Sequence, residues 1–234
     1  MQTLRQVRSF VLRAGRVTVG QERALKELWP RYGVEYSAAP LDLDALFGRR
    51  APHCLEIGFG TGEVIGSLAA AHPDVDYLGI EVHRPGVGQL LLRAEGAALT
   101  NLRVICHDAV EVLSAQISAN CCDEILVFFP DPWHKKRHHK RRLIEPKFVR
   151  RLAEILRPGG ILRLATDWQA YAEQMLEVCN AEARLASLTP DQPFAQRPAF
   201  RSPTRFERRG ERLGHGVWDL AYAKRDAANF PIAS

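Results

Sequence analysis

The sequence predicts an α/β protein: a doubly wound, mostly parallel sheet with an antiparallel ribbon at one edge. Three observations carry that expectation. From residue 51 onward, short apolar runs alternate with stretches of helical apolar spacing, five times in order. The first run ends in a glycine-rich turn, "GFGTG". The last part of the chain breaks the alternation with two apolar segments joined by a long connection. Alternating strands and helices favour a parallel sheet covered on both faces. Right-handed crossovers then make a doubly wound sheet the natural arrangement.

The elements follow in order. "HCLEIG" (53–58) is short, apolar and closed by glycines, as a buried strand is, and "GEVIGSLAAAH" places Val64, Ile65, Leu68 and Ala69 on one helical side. "DYLGIEVH" (76–83) is the second strand, with a helix near 85–98, and "LRVICHDA" (102–109) is the third, with a short helix near 109–118. "DEILVFFPD" (123–131) is the fourth, apolar until Pro130 and Pro132 stop it. "EPKFVRRLAEILRPGG" (145–160) reads as a helix with Pro near its start and Gly-Gly after its end. "GILRLATD" (160–167) is the fifth strand, followed by a helix near 168–182. "ARLASLTP" (183–190) and "GVWDLAYAKR" (216–225) pair as the edge ribbon, across a Pro/Arg-rich connection over 191–214. Loops of that length are usually functional or disordered. Residues 1–40 precede the sheet and read as a basic N-terminal arm, and 41–234 as one domain.

Composition limits the class of protein. With 46% hydrophobic and 25% charged residues over 234 positions, the chain supports one sizeable soluble core. No apolar run approaches the roughly 18–20 residues that cross a bilayer, and the Arg-rich start is unlike a signal peptide. Five Cys without CxxC spacing point to reduced thiols in a cytoplasmic protein. No membrane partner and no obligatory protein partner is expected. The net charge is +5, gathered in three groups: Arg5 to Arg23, Lys135 to Arg142, and Arg197 to Arg212. Clustered cations fit a phosphate-bearing partner.

Glu56, Glu81, Asp108 and Asp131 fall at the carboxyl ends of four successive strands. That edge is where open α/β sheets bind ligands. Glycines 58, 60 and 62 let the backbone turn sharply beside a ligand. Glu81 lies about where a ribose-binding carboxylate stands in nucleotide folds, and Asp108 is placed to accept from an adenine amine. The acidity also selects the nucleotide. Glu56 beside the turn would repel a pyrophosphate but attract the ammonium and sulfonium of S-adenosylmethionine. A nicotinamide-dependent oxidoreductase is thereby disfavoured. A small-molecule methyltransferase would leave the basic clusters without a use, and a non-catalytic RNA-binding subunit would leave the acidic row without one.

"FFPDPWHKKRHHKRR" (128–142) joins the two themes. Asp131 stands between two prolines, which fix backbone angles on either side. Six of the eight residues from 135 to 142 are Lys or Arg, suited to holding phosphates: Arg137, Lys140, Arg141 and Arg142 are expected to contact RNA. Trp133 offers a flat surface for a base. A purine nitrogen with an in-plane lone pair, such as guanine N7, needs no deprotonation before it attacks a sulfonium methyl. A fixed carboxylate would stabilise the cation that forms or accept from guanine's N1–H and amine. His134, His138 and His139 lack neighbouring Cys or acids, so no metal site is expected.

With these motifs in hand, "RSFVLRAGR", "LEIGFGTGE", "GIEVHRPGVG", "FFPDPWHKKRHHKRRL", "LRPGGILRLATDW" and "PTRFERRGERLGHGVWDL" together resemble bacterial tRNA (guanine-N7-)-methyltransferases, from about Arg8 to Lys224. The resemblance implies a Rossmann-like class I methyltransferase domain over 41–234, S-adenosylmethionine as donor and guanine 46 of the tRNA variable loop as target. It implies donor contacts from Glu56, Gly58, Gly60, Glu81, Asp108 and Asp131, with Asp131 also catalytic. It implies substrate contacts from Lys135, Asp167, Thr204, Arg205, Phe206 and Glu207. Family members often carry Lys where this chain has Arg205, which keeps the charge but changes the bonding geometry.

Overall fold

The computed structural model describes residues 15–201 and 216–226. Seven strands form one sheet in the order β3-β2-β1-β4-β5-β7-β6. They are β1 His53–Ile57, β2 Asp76–Ile80, β3 Leu102–Ile105, β4 Cys122–Phe128, β5 Leu156–Thr166, β6 Leu185–Ser187 and β7 Trp218–Lys224. The first five are mutually parallel, while β7 runs antiparallel to both β5 and β6. The doubly wound sheet with an antiparallel edge is therefore present, and the ribbon extends the sheet beyond β5.

Strand residues alternate between two cores, as the period of two requires. In β4, Ile125 and Val127 enter one buried cluster, and Leu126 and Phe128 the other. Helices cover both sides: α4 Glu63–Ala71, α5 Arg84–Gly96, α6 Ala109–Ala115, α7 Pro146–Ile155 and α8 Gln169–Ala181. The chain before the sheet supplies α1 Val19–Glu27, α2 Trp29–Tyr32 and α3 Leu43–Phe47. A capping box of Thr18 and Gln21 starts α1. Gly88 of α5 lies against Gln21, and Gly33 bridges to Val104 of β3. From residue 15, the segment expected as an arm thus lies against α5 and the sheet.

Several boundaries differ from the sequence reading. The fourth helix of the alternation ends at Ile155, short of the Pro158 and Gly-Gly expected to close it. Pro158 disfavours helical backbone at Arg157, and β5 starts at Leu156. β3 stops at Ile105, because Asp108 caps α6 by accepting from the Val110 N–H at 2.9 Å. β4 stops at Phe128, where the chain turns sharply.

Candidate active site

The glycine turn after β1 places Gly58, Gly60 and Gly62 at φ of 72°, 57° and 71°. These left-handed angles suit glycine and strain other residues. A Cβ added at Gly58 or Gly60 would meet nothing within 4 Å, so the backbone there borders open space. Glu81 holds the turn from the next strand. Its Oε2 accepts from Gly60 N–H at 2.9 Å, and its Oε1 accepts from Val82 and His83 N–H at 2.7 and 2.9 Å. Glu81 is thus a backbone brace as well as a wall of the cleft.

Glu56 lies deeper. It is buried at the end of β1, and its Oε2 has no hydrogen-bond partner among the described residues. Burial, opposed by the Ile65 N–H and reinforced by the nearby Glu81 charge, pushes its carboxyl up to about 8. A buried carboxyl with an unmet oxygen stands ready for a cationic donor group.

A cleft of about 190 Å³ opens above these strand ends. It is lined by Gly58, Glu81, Asp108 and Asp131, along with His107, Phe128, Phe129 and Pro130 among others. Asp131 is exposed at its rim. The backbone around it carries two non-glycine residues at positive φ, Phe129 at 53° and Trp133 at 46°. The residue before a proline normally stays extended, so Phe129 ahead of Pro130 is strained, at a cost of about 1–3 kcal/mol. Its surroundings fix it in place. The Phe129 N–H donates to Ala165 O at 2.8 Å. Its ring lies 5.1 Å from the guanidinium of Arg201, which bonds both oxygens of Asp219 at 2.9 and 2.7 Å.

Two assignments in the basic groups need correcting. Arg142, expected at the RNA face, is only 4% exposed. Its Nε donates to Pro132 O at 2.9 Å, its Nη1 donates to Gln174 Oε1 at 2.5 Å, and it packs 4.7 Å over the Tyr171 ring. It ties the Asp131 turn to α8. Arg201, expected in a phosphate-binding group, is 1% exposed and paired with Asp219. The 3₁₀ turn Lys136–Arg141 has no buried residue. Lys135, Arg137 and Lys140 are exposed, while Arg141 lies 4.9 Å over Trp133. His138 is pushed below the usual imidazole range by desolvation and by the flanking Arg137, Arg141, Lys135 and Lys140. His138 therefore adds little to the charge of the run.

Curated relatives with the same name decide the family. The chain is 53% identical over 224 residues to a tRNA (guanine-N(7)-)-methyltransferase of Alcanivorax borkumensis, covering 96% of this chain and 94% of that protein. It is 55% identical over 220 residues to the one of Methylococcus capsulatus, covering 94% and 95%. It is also 56% identical over 224 residues to the one of Burkholderia pseudomallei, covering 96% and 84%. This chain belongs to the tRNA (guanine-N(7)-)-methyltransferase family. The family described as "Putative methyltransferase" matches residues 50–220. Among solved structures, the 16S rRNA methyltransferase KamB is similar at TM-score 0.55 and 17% identity, covering 78% of this chain and 92% of its own. The aminoglycoside resistance methyltransferase NpmB1 is similar at 0.51 and 17%, covering 78% and 91%. These two share the fold.

The methyltransferase brings some of its expected site residues together and separates others. Gly58, Glu81, Asp108 and Asp131 share the cleft, while Gly60 is tied to Glu81 and Glu56 is buried at the end of β1. Lys135 and Asp167 are exposed beyond β4 and β5. Asp167 does not cap α8, whose N-cap is Trp168. Thr204, Arg205, Phe206 and Glu207 lie outside the described residues. The acidic row and the open space over the glycines fit S-adenosylmethionine, the donor that a methyltransferase of this class uses. Sequence reasoning did not find His107, which lines the cleft, stacks on Tyr36 at 3.9 Å and approaches Glu111 at 2.5 Å. Nor did it find the Arg201–Asp219 pair under the Asp131 turn. The Tyr36–His107 stack and the Arg201–Asp219 pair join residues from separate segments, which no local pattern marks.

Proposed function

We propose that this methyltransferase transfers the methyl group of S-adenosylmethionine to N7 of a guanine in tRNA, guanine 46 of the variable loop. The observation that carries the reading is one cleft walled by Gly58, Glu81, Asp108 and Asp131, with an exposed cationic run starting four residues beyond its rim. When bound, S-adenosylmethionine supplies a methyl group on a positively charged sulfur. Glu56 would give its unmet oxygen to the donor's ammonium, and Gly58 and Gly60 let the backbone pass close to it. Glu81 would accept from ribose hydroxyls, and Asp108 from the adenine amine.

Asp131 serves the acceptor. Guanine N7 carries an in-plane lone pair, so no base must remove a proton first. Asp131 would orient the purine through its N1–H and amine, or offset the positive charge the ring acquires. The strained backbone around it keeps that carboxylate at the rim. Lys135, Asp167, Thr204, Arg205, Phe206 and Glu207 would meet the target nucleotide. Arg137, Lys140 and Arg141 would hold neighbouring phosphates without reading sequence. Acting on such a substrate, the protein would work in the cytoplasm.

The test is to incubate the purified protein with unmodified tRNA and S-adenosylmethionine, then map the product by nuclease digestion and mass spectrometry. The expected product is 7-methylguanosine at position 46. Methylation at another base or position, or none, overturns the reading.

A further inference from the structure

We propose that Trp168 is the surface on which a purine of the tRNA stacks as it enters the cleft, with His134 holding the indole upright. The inference rests on the function proposed above and names a binding residue of that site. Trp168 follows Asp167 at the carboxyl end of β5, directly beside the strand that carries Asp131. It is one of three exposed large hydrophobic residues among those described, at 38%. A single exposed apolar side chain is ordinary. Placement and rigidity distinguish this one.

Its backbone is fixed on both sides. The Trp168 N–H donates to Thr166 Oγ1 at 3.3 Å, and its carbonyl accepts from Tyr171 and Ala172 at 2.9 and 3.0 Å. The His134 ring stands 4.2 Å away at 66°. At that angle the imidazole covers at most one face of the indole. The contact also ties Trp168 to the turn that carries Asp131, through His134, which the exposed Lys135, Lys136 and Arg137 follow directly in the chain. An aromatic face flanked by cations is what a nucleotide with its phosphates requires.

Trp133, the surface expected from sequence, is otherwise engaged. Arg141 lies over its ring at 4.9 Å, and His138 meets it at 5.7 Å and 71°. Trp133 therefore supports a phosphate-binding arginine, and the stacking role passes to Trp168. Asp131 and Asp167 supply hydrogen bonds at the base edge, for which stacking alone gives no selectivity.

The test uses the full chain with unmodified tRNA transcript and three variants. Trp168→Leu keeps apolar bulk and removes the large π face. It should lower kcat/KM for tRNA about ten- to hundred-fold, with unchanged melting temperature and unchanged S-adenosylmethionine affinity by calorimetry. Trp168→Phe should restore most of the loss. Tryptophan emission of the wild type should be quenched on tRNA addition, and Trp168→Phe should lose a clear part of that quench while Trp133→Phe keeps it. Wild-type kcat/KM in Trp168→Leu, or a full quench in Trp168→Phe, overturns the proposal. If Trp168→Leu melts early, the Trp168→Phe quench still decides. Failure of the wild type to form 7-methylguanosine would instead remove the reading beneath it.

Discussion

At the glycine turn, Glu81 accepts three backbone N–H bonds and Glu56 is shut beneath the start of α4. On the 3₁₀ turn Lys136–Arg141, no residue is buried, and Lys136, Arg137 and Lys140 are exposed. The glycine turn and Glu81 wall the cleft, and the 3₁₀ turn begins five residues after Asp131 at its rim. Their difference suits what the proposed function has each of them bind. A small cationic cofactor is held by few contacts, so those contacts must be preset in a dry, low-dielectric place. A polyanion is held by summed, long-range charge, which tolerates loose geometry. Between the two lies the Asp131 turn, exposed outward and pinned from beneath by Arg142 and by Arg201 with Asp219.

The comparison can be broken from beneath the turn, where the largest effect is expected. Arg201→Met leaves Asp219 buried without its bidentate partner and should destabilise the fold by about 3–5 kcal/mol in urea titrations. Adding Asp219→Leu should recover most of that loss. A single variant as stable as wild type would show that the pair does not anchor the turn.

Asp131→Ala comes next. Turnover should fall about 10²- to 10³-fold, with tRNA affinity nearly unchanged in filter binding. Equal losses in binding and turnover would place Asp131 with the loose, RNA-holding side of the comparison.

Glu56 tests the enclosed side by pH. Its folded carboxyl titrates near 8, above the ordinary 4.5. The folded state thus keeps a proton that the unfolded chain releases above pH 4.5. This contribution to stability is complete below that value and is lost as pH rises toward 8. The drop due to Glu56 should reach about 3 kcal/mol between pH 4.5 and 7 without donor. Glu56→Gln should flatten that part of the curve and weaken S-adenosylmethionine binding. Parallel stability curves for the two proteins would show that Glu56 is not held protonated.

The basic run gives the smallest and sharpest contrast. Arg142→Ala should cost about 2 kcal/mol of stability, because the Pro132 and Gln174 acceptors lose a buried, charged donor. Arg137→Ala should change stability by less than about 0.5 kcal/mol and reduce the salt slope of tRNA binding by about 1. Matching behaviour of the two variants would erase the distinction between anchor and phosphate contact.

The sequence alone determined the layered architecture, the parallel order, the edge ribbon and the row of carboxylates. Those rest on local signals: apolar period, glycine turns, and acids at the ends of runs. It placed Asp108 at a strand end but not as the cap of α6, because a cap depends on where the chain actually turns. It read Lys135–Arg142 as one uniform charged surface. Only the tertiary structure separated exposed Arg137 and Lys140 from buried Arg142, whose partners Pro132 and Gln174 lie 10 and 32 positions away. In the same way it set Trp133 against Arg141, set Trp168 against His134 and turned Arg201 inward onto Asp219. The physical reason is common to all three. A residue's type and spacing fix what it can bond to, but burial and partners between distant segments are decided when the sheet brings those segments together.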